Sequence, residues 1–258
     1  MKILITGNHS YIGSSFKNFL KNNPEYIVDN ISVRDDKWKY HSFKNYDVII
    51  HLAALVHKNE KKYSLLEYER VNVDLTIDLA KKASDDGVKN FFFLSTMAVF
   101  GKRKVINSSS PLNPSTKYGI SKLKAEYQLV SFFQNSETSL TIFRPPMVYG
   151  RGAPGNPRII EVLSKFSPFF PETYNTKSFI HIDKLLSVFL SNLNFKGSCI
   201  LHPKDENNSS TFELYSRYRS YIGKKAFPLK LLGLFIKKLQ FIKFIDKIFG
   251  NQYYDFHD

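Results

Sequence analysis

The sequence predicts an α/β protein whose core is a doubly wound parallel sheet, and three observations carry that expectation. Short β-like runs alternate with amphipathic helical stretches through the first half of the chain. A glycine-containing turn lies between the first run and the first helix. The residues with chemical interest follow predicted strands, where sheets of this kind receive ligands. The 258 residues are 43% hydrophobic and 15% aromatic, enough to bury a core without disulfides or a structural metal. No metal site is expected.

In order, residues 2–6 read as the first strand and 13 to about 21 as the first helix. Strands follow at 26–33 and 47–52, a long helical stretch around 65–83, and a strand at 90–95. A helix begins after Lys117 and a further strand covers 139–143. After Gly150 the pattern loosens into Arg151-Gly152-Ala153-Pro154-Gly155-Asn156-Pro157, where a small C-terminal substrate-binding lobe is expected. Ser210 and Glu213 have the spacing of a capping box, which starts a helix running towards Gly223. There is no internal repeat and no low-complexity linker. The expected division is 1–150 as the ligand-binding core and 151–258 as a mixed region that completes the core and forms the lobe.

A formal charge of +14 and a pI near 9.6 suit anionic partners without choosing among nucleotide diphosphates, nucleic acid and acidic lipid. Lysine on a solvated surface accounts for much of it, and no nucleic-acid partner is expected. Cys199 is the only cysteine, and residues 1–5 lead straight into the glycine turn with no apolar leader, which points to the cytoplasm. The stretch from Leu229 to Phe249 mixes lysines with apolar residues and is no transmembrane helix. Residues 224–249 are expected to form an amphipathic helix covering the lobe or a subunit interface, in preference to lying on an acidic membrane.

Thr6-Gly7-Asn8-His9-Ser10-Tyr11-Ile12-Gly13 joins the first strand to the first helix. There a dinucleotide pyrophosphate meets free backbone N–H groups and the positive end of the helix dipole. The spacing resembles the TGxxGxxG signature of extended short-chain dehydrogenases, with Ser10 at the middle glycine. Arg34-Asp35-Asp36 follows the second predicted strand. Arginine there suits a 2′-phosphate and aspartate a 2′-hydroxyl, so the cofactor is NAD or NADP, with NADP(H) preferred. His51-Leu52-Ala53-Ala54 resembles the HLAA element of that family, whose small residues let the backbone approach the cofactor. His51 itself reads as a hydrogen-bonded structural residue. Asn72 matches a helix asparagine that organises the site in the family.

Tyr118 and Lys122 are four apart on a predicted helix, so both project from one face. An ammonium beside a phenol of pKa near 10 stabilises the phenolate and brings it towards useful acid/base range. Ser95 and Thr96 end the strand just upstream, and their hydroxyls can hold a substrate oxygen. The offset of Thr96 from Val99-Phe100-Gly101 matches that of the family's catalytic Ser or Thr from its VYG element.

Together these motifs resemble the NAD-dependent epimerase/dehydratase branch of extended short-chain dehydrogenases over roughly residues 1–185, which implies a Rossmann-type core. Phe143-Arg144-Pro145-Pro146-Met147-Val148-Tyr149-Gly150 looks like the RPPxVYG form of bacterial nucleotide-sugar 4-epimerases and 4-keto-sugar reductases. The resemblance implies Thr96, Tyr118 and Lys122 as catalytic residues, and Lys122, Pro145 and Val148 among the cofactor contacts. Met147 stands where many 4-epimerases have a substrate asparagine. Met97 and Ala98 stand where 4,6-dehydratases carry Asp-Glu, and neither exchanges protons, which argues against dehydration. Lys177 lies in a segment like the one whose basic residue meets the nucleotide diphosphate; Arg151, Asn156 and Arg158 are further substrate candidates. The implied activity is C4 epimerisation or reduction of a nucleotide sugar, UDP-linked hexose or N-acetylhexosamine for surface polysaccharide, by a homodimer. The competing expectation is a non-catalytic dinucleotide-binding scaffold.

Overall fold

The computed structural model describes residues 1–7, 10–56 and 62–256. In chain order they form β1 (Lys2–Thr6), α1 (Tyr11–Phe19), β2 (Ile27–Ile31), β3 (Val48–His51), α2 (Leu65–Glu69), α3 (Leu75–Asp85) and β4 (Asn90–Leu94). Next come β5 (Val105–Ile106), α4 (Lys117–Phe133), β6 (Ser139–Phe143), β7 (Met147–Tyr149), α5 (Asn156–Phe166), β8 (Phe169–Pro171), β9 (Phe179–His181) and α6 (Ile182–Asn192). The chain continues through β10 (Ser198–Leu201), α7 (Thr211–Ser220), β11 (Phe227–Leu229), α8 (Lys230–Lys238), α9 (Lys243–Phe249) and β12 (Tyr253–Tyr254).

Contacts divide the chain into two units, the first made of Met1–Gly101, Leu112–Pro145 and Ile182–Pro203. It holds a six-stranded parallel sheet in the order β10-β6-β4-β3-β1-β2. β4 shows why both faces must be covered. Its alternate side chains point opposite ways, so Phe91 meets Phe133 of α4 while Phe92 meets Phe189 of α6. Phe16 of α1 meets that same Phe189, which puts α1 and α6 on one face. The chain leaves β1 for β2 on one side and returns to β3 on the other. The carboxyl ends of β1 and β3 are thus neighbours at the point where strand order reverses, the usual ligand crevice of such sheets.

The second unit comprises Lys102–Pro111, Pro146–His181 and Lys204–Asp258. Short parallel pairs β7–β9, β8–β11 and β5–β12 surround a core of Tyr149, Ile160, Phe170, Phe179, Leu214, Tyr215, Ile248 and Phe249. The Ser210/Glu213 capping box forms in both directions and opens α7 as expected.

Two helical expectations need correction. The stretch 65–83 is not continuous α-helix, because a π-helical turn, Arg70–Asp74, separates α2 from α3. Residues 224–249 are not one amphipathic helix: β11, α8 and α9 share that segment. Gly233 presses α8 so closely on Glu172 that an added Cβ would lie 1.8 Å from its carbonyl oxygen, while Ile248 and Phe249 anchor α9 in the core.

Candidate active site

The turn after β1 is built for close backbone approach. Gly7 has φ +97°, and a Cβ there would meet the backbone N of Ala53 at 3.1 Å. A Cβ on Gly13 would lie 2.6 Å from Ser10 Oγ and 3.1 Å from Ile5 Cγ2. Ser10 caps α1, its hydroxyl accepting from Gly13 N at 3.1 Å. Tyr11 and Ile12 form the first turn of α1, partly buried. Asn8 and His9, within the predicted turn, lie outside the described residues.

After β2, Arg34 is exposed, whereas the Asp35 carboxylate accepts from Lys37 N at 3.1 Å and caps a single 3₁₀ turn. After β3, Leu52 is buried, and Ala53 and Ala54 are partly buried.

His51 is a structural residue. Thr76 Oγ1 donates to Asn72 O at 2.9 Å, so it accepts from His51 Nε2–H at 2.9 Å. That leaves Nδ1 to accept from Thr6 Oγ1 at 2.6 Å. Burial, helped by the Lys122 charge, lowers the His51 pKa to about 3, so the ring is neutral.

Asn72 is fully buried in the π-helical turn rather than on the surface. Its Oδ1 accepts from Leu55 N at 2.7 Å, and its Nδ2 donates to Leu55 O at 3.2 Å and Ser121 Oγ at 2.9 Å. Ser121 in turn donates to Tyr118 O at 2.9 Å. The asparagine therefore fastens the chain after β3 to the helix that carries Tyr118. Both its amide hydrogens serve protein partners.

Thr96 caps the 3₁₀ turn Met97–Phe100 and accepts from Ala98 N at 3.1 Å. Its side chain is near enough to the Tyr118 phenol to act on that group's pKa. Two features hold that pair. Met97 N donates to Pro145 O at 2.9 Å, fixing the turn after β4. Gly119 lets α4 approach it, since a Cβ there would meet Ala98 O at 2.8 Å.

Burial pushes the Tyr118 pKa above its ordinary value, and Thr96 pulls it back in part. Lys122 is itself 1% exposed, with its ammonium 4.3 Å from the centre of the Phe93 ring. Burial lowers its pKa to about 7, against an upward pull from Glu126.

The sequence reading assigned no role to Glu126. It accepts a hydrogen bond from Ser95 Oγ and binds Arg144 through Nε at 3.1 Å to each oxygen and Nη2 at 2.5 Å. All three are buried. Glu126 is four residues beyond Lys122, eight beyond Tyr118, and that helical spacing was the available signal.

In the second unit, Met147 and Val148 belong to β7 and pair with Phe179 and Ile180. Arg151 is exposed, and Asn156 begins α5 behind Gly155, whose φ is +77°. Arg158 is paired with Glu161 at 2.9 Å. Lys177 is buried, which lowers its pKa to about 8 while Asp246 acts the other way. Among the described residues no group of three or more His, Cys, Asp or Glu is arranged to hold a metal.

A sequence model described as the NAD dependent epimerase/dehydratase family matches residues 3–167. A UDP-glucose 4-epimerase of Vibrio cholerae is 32% identical over 231 residues, 80% of this chain and 68% of that protein. An N-acetyl-alpha-D-glucosaminyl-diphospho-ditrans,octacis-undecaprenol 4-epimerase of Escherichia coli O157:H7 is 34% identical over 127 residues, 48% of this chain and 38% of that protein. The crystal structure of a UDP-glucuronic acid 4-epimerase from Bacillus cereus with NAD superposes with a TM-score of 0.74 at 21% identity, covering 99% of this chain and 88% of that one, a likeness of fold.

Proposed function

The chain belongs to the NAD-dependent epimerase/dehydratase family, and from that premise we propose that it is a C4 epimerase of a UDP-linked hexose or N-acetylhexosamine. The observation that carries the reading is the close approach at Gly119, where a Cβ would meet Ala98 O at 2.8 Å, which brings the helix of Tyr118 and Lys122 against the turn that Thr96 caps.

The residues fit a dinucleotide. Gly7 and Gly13 let the turn and α1 pack tightly on Ala53, Ser10 and Ile5, and Ser10, Tyr11 and Ile12 open a helix whose N-terminus suits pyrophosphate. Leu52, Ala53 and Ala54 supply an adjoining backbone wall, Arg34 and Asp35 are assigned to the adenosine ribose, and Lys122 with Pro145 to the nicotinamide end. Bound there, the cofactor supplies hydride transfer to and from a sugar carbon. Tyr118 exchanges the proton of the sugar hydroxyl, and Thr96 holds the reacting oxygen. Oxidation at the sugar hydroxyl needs Tyr118 as the base that takes its proton, and burial works against this by favouring the protonated phenol. A charged Lys122 is what stabilises its phenolate after the proton has left. Asn72, through Ser121, positions Tyr118.

Arg151, Asn156, Arg158 and Lys177, with Met147, are assigned to the substrate. A role in surface polysaccharide draws support from the E. coli relative, whose name carries an undecaprenol-linked sugar. A homodimer draws support from Leu66 and Tyr127, exposed by 74% and 60% on the contacting helices α2 and α4.

A second reading, 4-keto-sugar reductase, rests on Arg34: it is exposed while Asp35 is engaged with Lys37 N, which favours a 2′-phosphate and NADP(H). Two assays separate them: UDP-sugars with no added cofactor, then a 4-keto-6-deoxy sugar with NADPH. C4-epimer interconversion in the first identifies the epimerase, and NADPH oxidation only in the second identifies the reductase. Inactivity in both, across UDP-, GDP- and dTDP-linked sugars, leaves the non-catalytic scaffold.

A further inference from the structure

The second unit carries a surface that the proposed chemistry does not use. Residues 224–249 include Lys224, Lys225, Lys230, Lys237, Lys238, Lys243 and Lys247 against one carboxylate, Asp246. α8 turns Gly233 and Ile236 inward, towards Glu172 and the core. Its outward face is then occupied by Leu231, 84% exposed, with Leu234 and Phe235 beside it. Phe241, 80% exposed, stands in the link that follows α8, and Phe244 is exposed on α9. A helix on a soluble surface shows the reverse, with polar residues farthest from the core. Contiguous exposed apolar groups ringed by charge mark an interaction site.

We propose that α8 and α9 dock this protein on the surface of an anionic lipid bilayer. Leu231, Leu234, Phe235, Phe241 and Phe244 enter the headgroup boundary, while the lysines meet lipid phosphates. Charge complementarity selects this occupant. A second copy of the same face would set lysines against lysines. Nucleic acid would satisfy the lysines but leave five large apolar side chains in water. The segment lies on a membrane and does not cross it, since among the described residues no helix is long and apolar enough to span one.

Flotation of the full chain with vesicles tests this. One vesicle is phosphatidylcholine alone, the other an equimolar mixture with phosphatidylglycerol. The protein is expected to float with the anionic vesicles at low salt, to be released by high salt, and to ignore the neutral ones. Leu231→Ser/Phe235→Ser should lower binding about tenfold or more, and Phe241→Ser, outside both helices, should lower it in the same direction. Lys237→Glu/Lys238→Glu should lower it by well over tenfold, about fivefold for each lysine lost. Unchanged melting curves exclude unfolding as the cause, and the wild-type contrast between vesicles and salts stands without any variant. The proposal is overturned if wild type stays unbound at low salt, or if the variants that fold bind as well as wild type. A dimer dissolved by Leu231→Ser/Phe235→Ser, without flotation of the wild type, also overturns it.

Discussion

At the scale of single residues, His51 separates a polar group at a strand end from a catalytic one. Its two nitrogens are spent on Thr6 and Thr76, and burial keeps it neutral down to about pH 3. The folded-state pKa lies below the unfolded value near 6.5, so the unfolded chain binds the extra proton in acid. Stability contributed by neutral His51 is therefore complete above about 6.5 and lost as pH falls towards 3. His202, lowered to about 4 mainly by burial and next by Arg144, acts in the same sense. His51→Gln should be less stable at pH 7 yet lose less stability between pH 7 and 4, measured by urea midpoints. An acid slope equal to wild type would contradict the assignment.

Glu126 supplies a second test. Glu126→Gln leaves Arg144 buried without its carboxylate and should cost about 3 kcal/mol or more in denaturant unfolding. The glutamate was legible only as a helical neighbour of Lys122. Its partners, Ser95 and Arg144, come from strand ends that no local pattern relates.

At the scale of elements, β1 and β6 have the bounds that their apolar runs announce, and α4 begins at Lys117, one residue before the expected start. The π-helical turn has no such signature. Arg70-Val71-Asn72-Val73-Asp74 reads as ordinary helix, and the departure coincides with Asn72, whose partners Leu55 and Ser121 are distant in sequence. Gly119 was equally silent, because the requirement for it comes from Ala98 across the turn. Gly119→Ala should push α4 away from that turn and separate Tyr118 from Thr96. The expected result is a fall in kcat of about tenfold or more with dinucleotide affinity retained; equal loss of both would refute it. In α1, Ser10→Ala removes the cap to Gly13 N and should cost about 1 kcal/mol by thermal melting.

At the scale of the whole molecule, the parallel sheet was readable because each βα step repeats a local pattern, while much of the second unit was not. That unit is assembled from three separate stretches of chain, and its pairings, Tyr253 with Val105 and Lys177 with Gln252, join residues far apart in sequence. Strands of two or three residues are too short to show a period. The lysine-rich segment had the composition of an amphipathic helix, but only tertiary packing at Gly233 reveals which of its faces remains open.

The proposed activity has two parts in the first unit, a dinucleotide bound at the turn after β1 and a proton moved through Tyr118. Its most direct test is Tyr118→Phe, with sugar turnover and dinucleotide affinity measured on the same preparation. Turnover should fall by about 10²–10⁴ while affinity stays within several-fold of wild type, since Phe keeps the ring and removes only the hydroxyl. Normal turnover in that variant would remove Tyr118 from the mechanism and contradict the account.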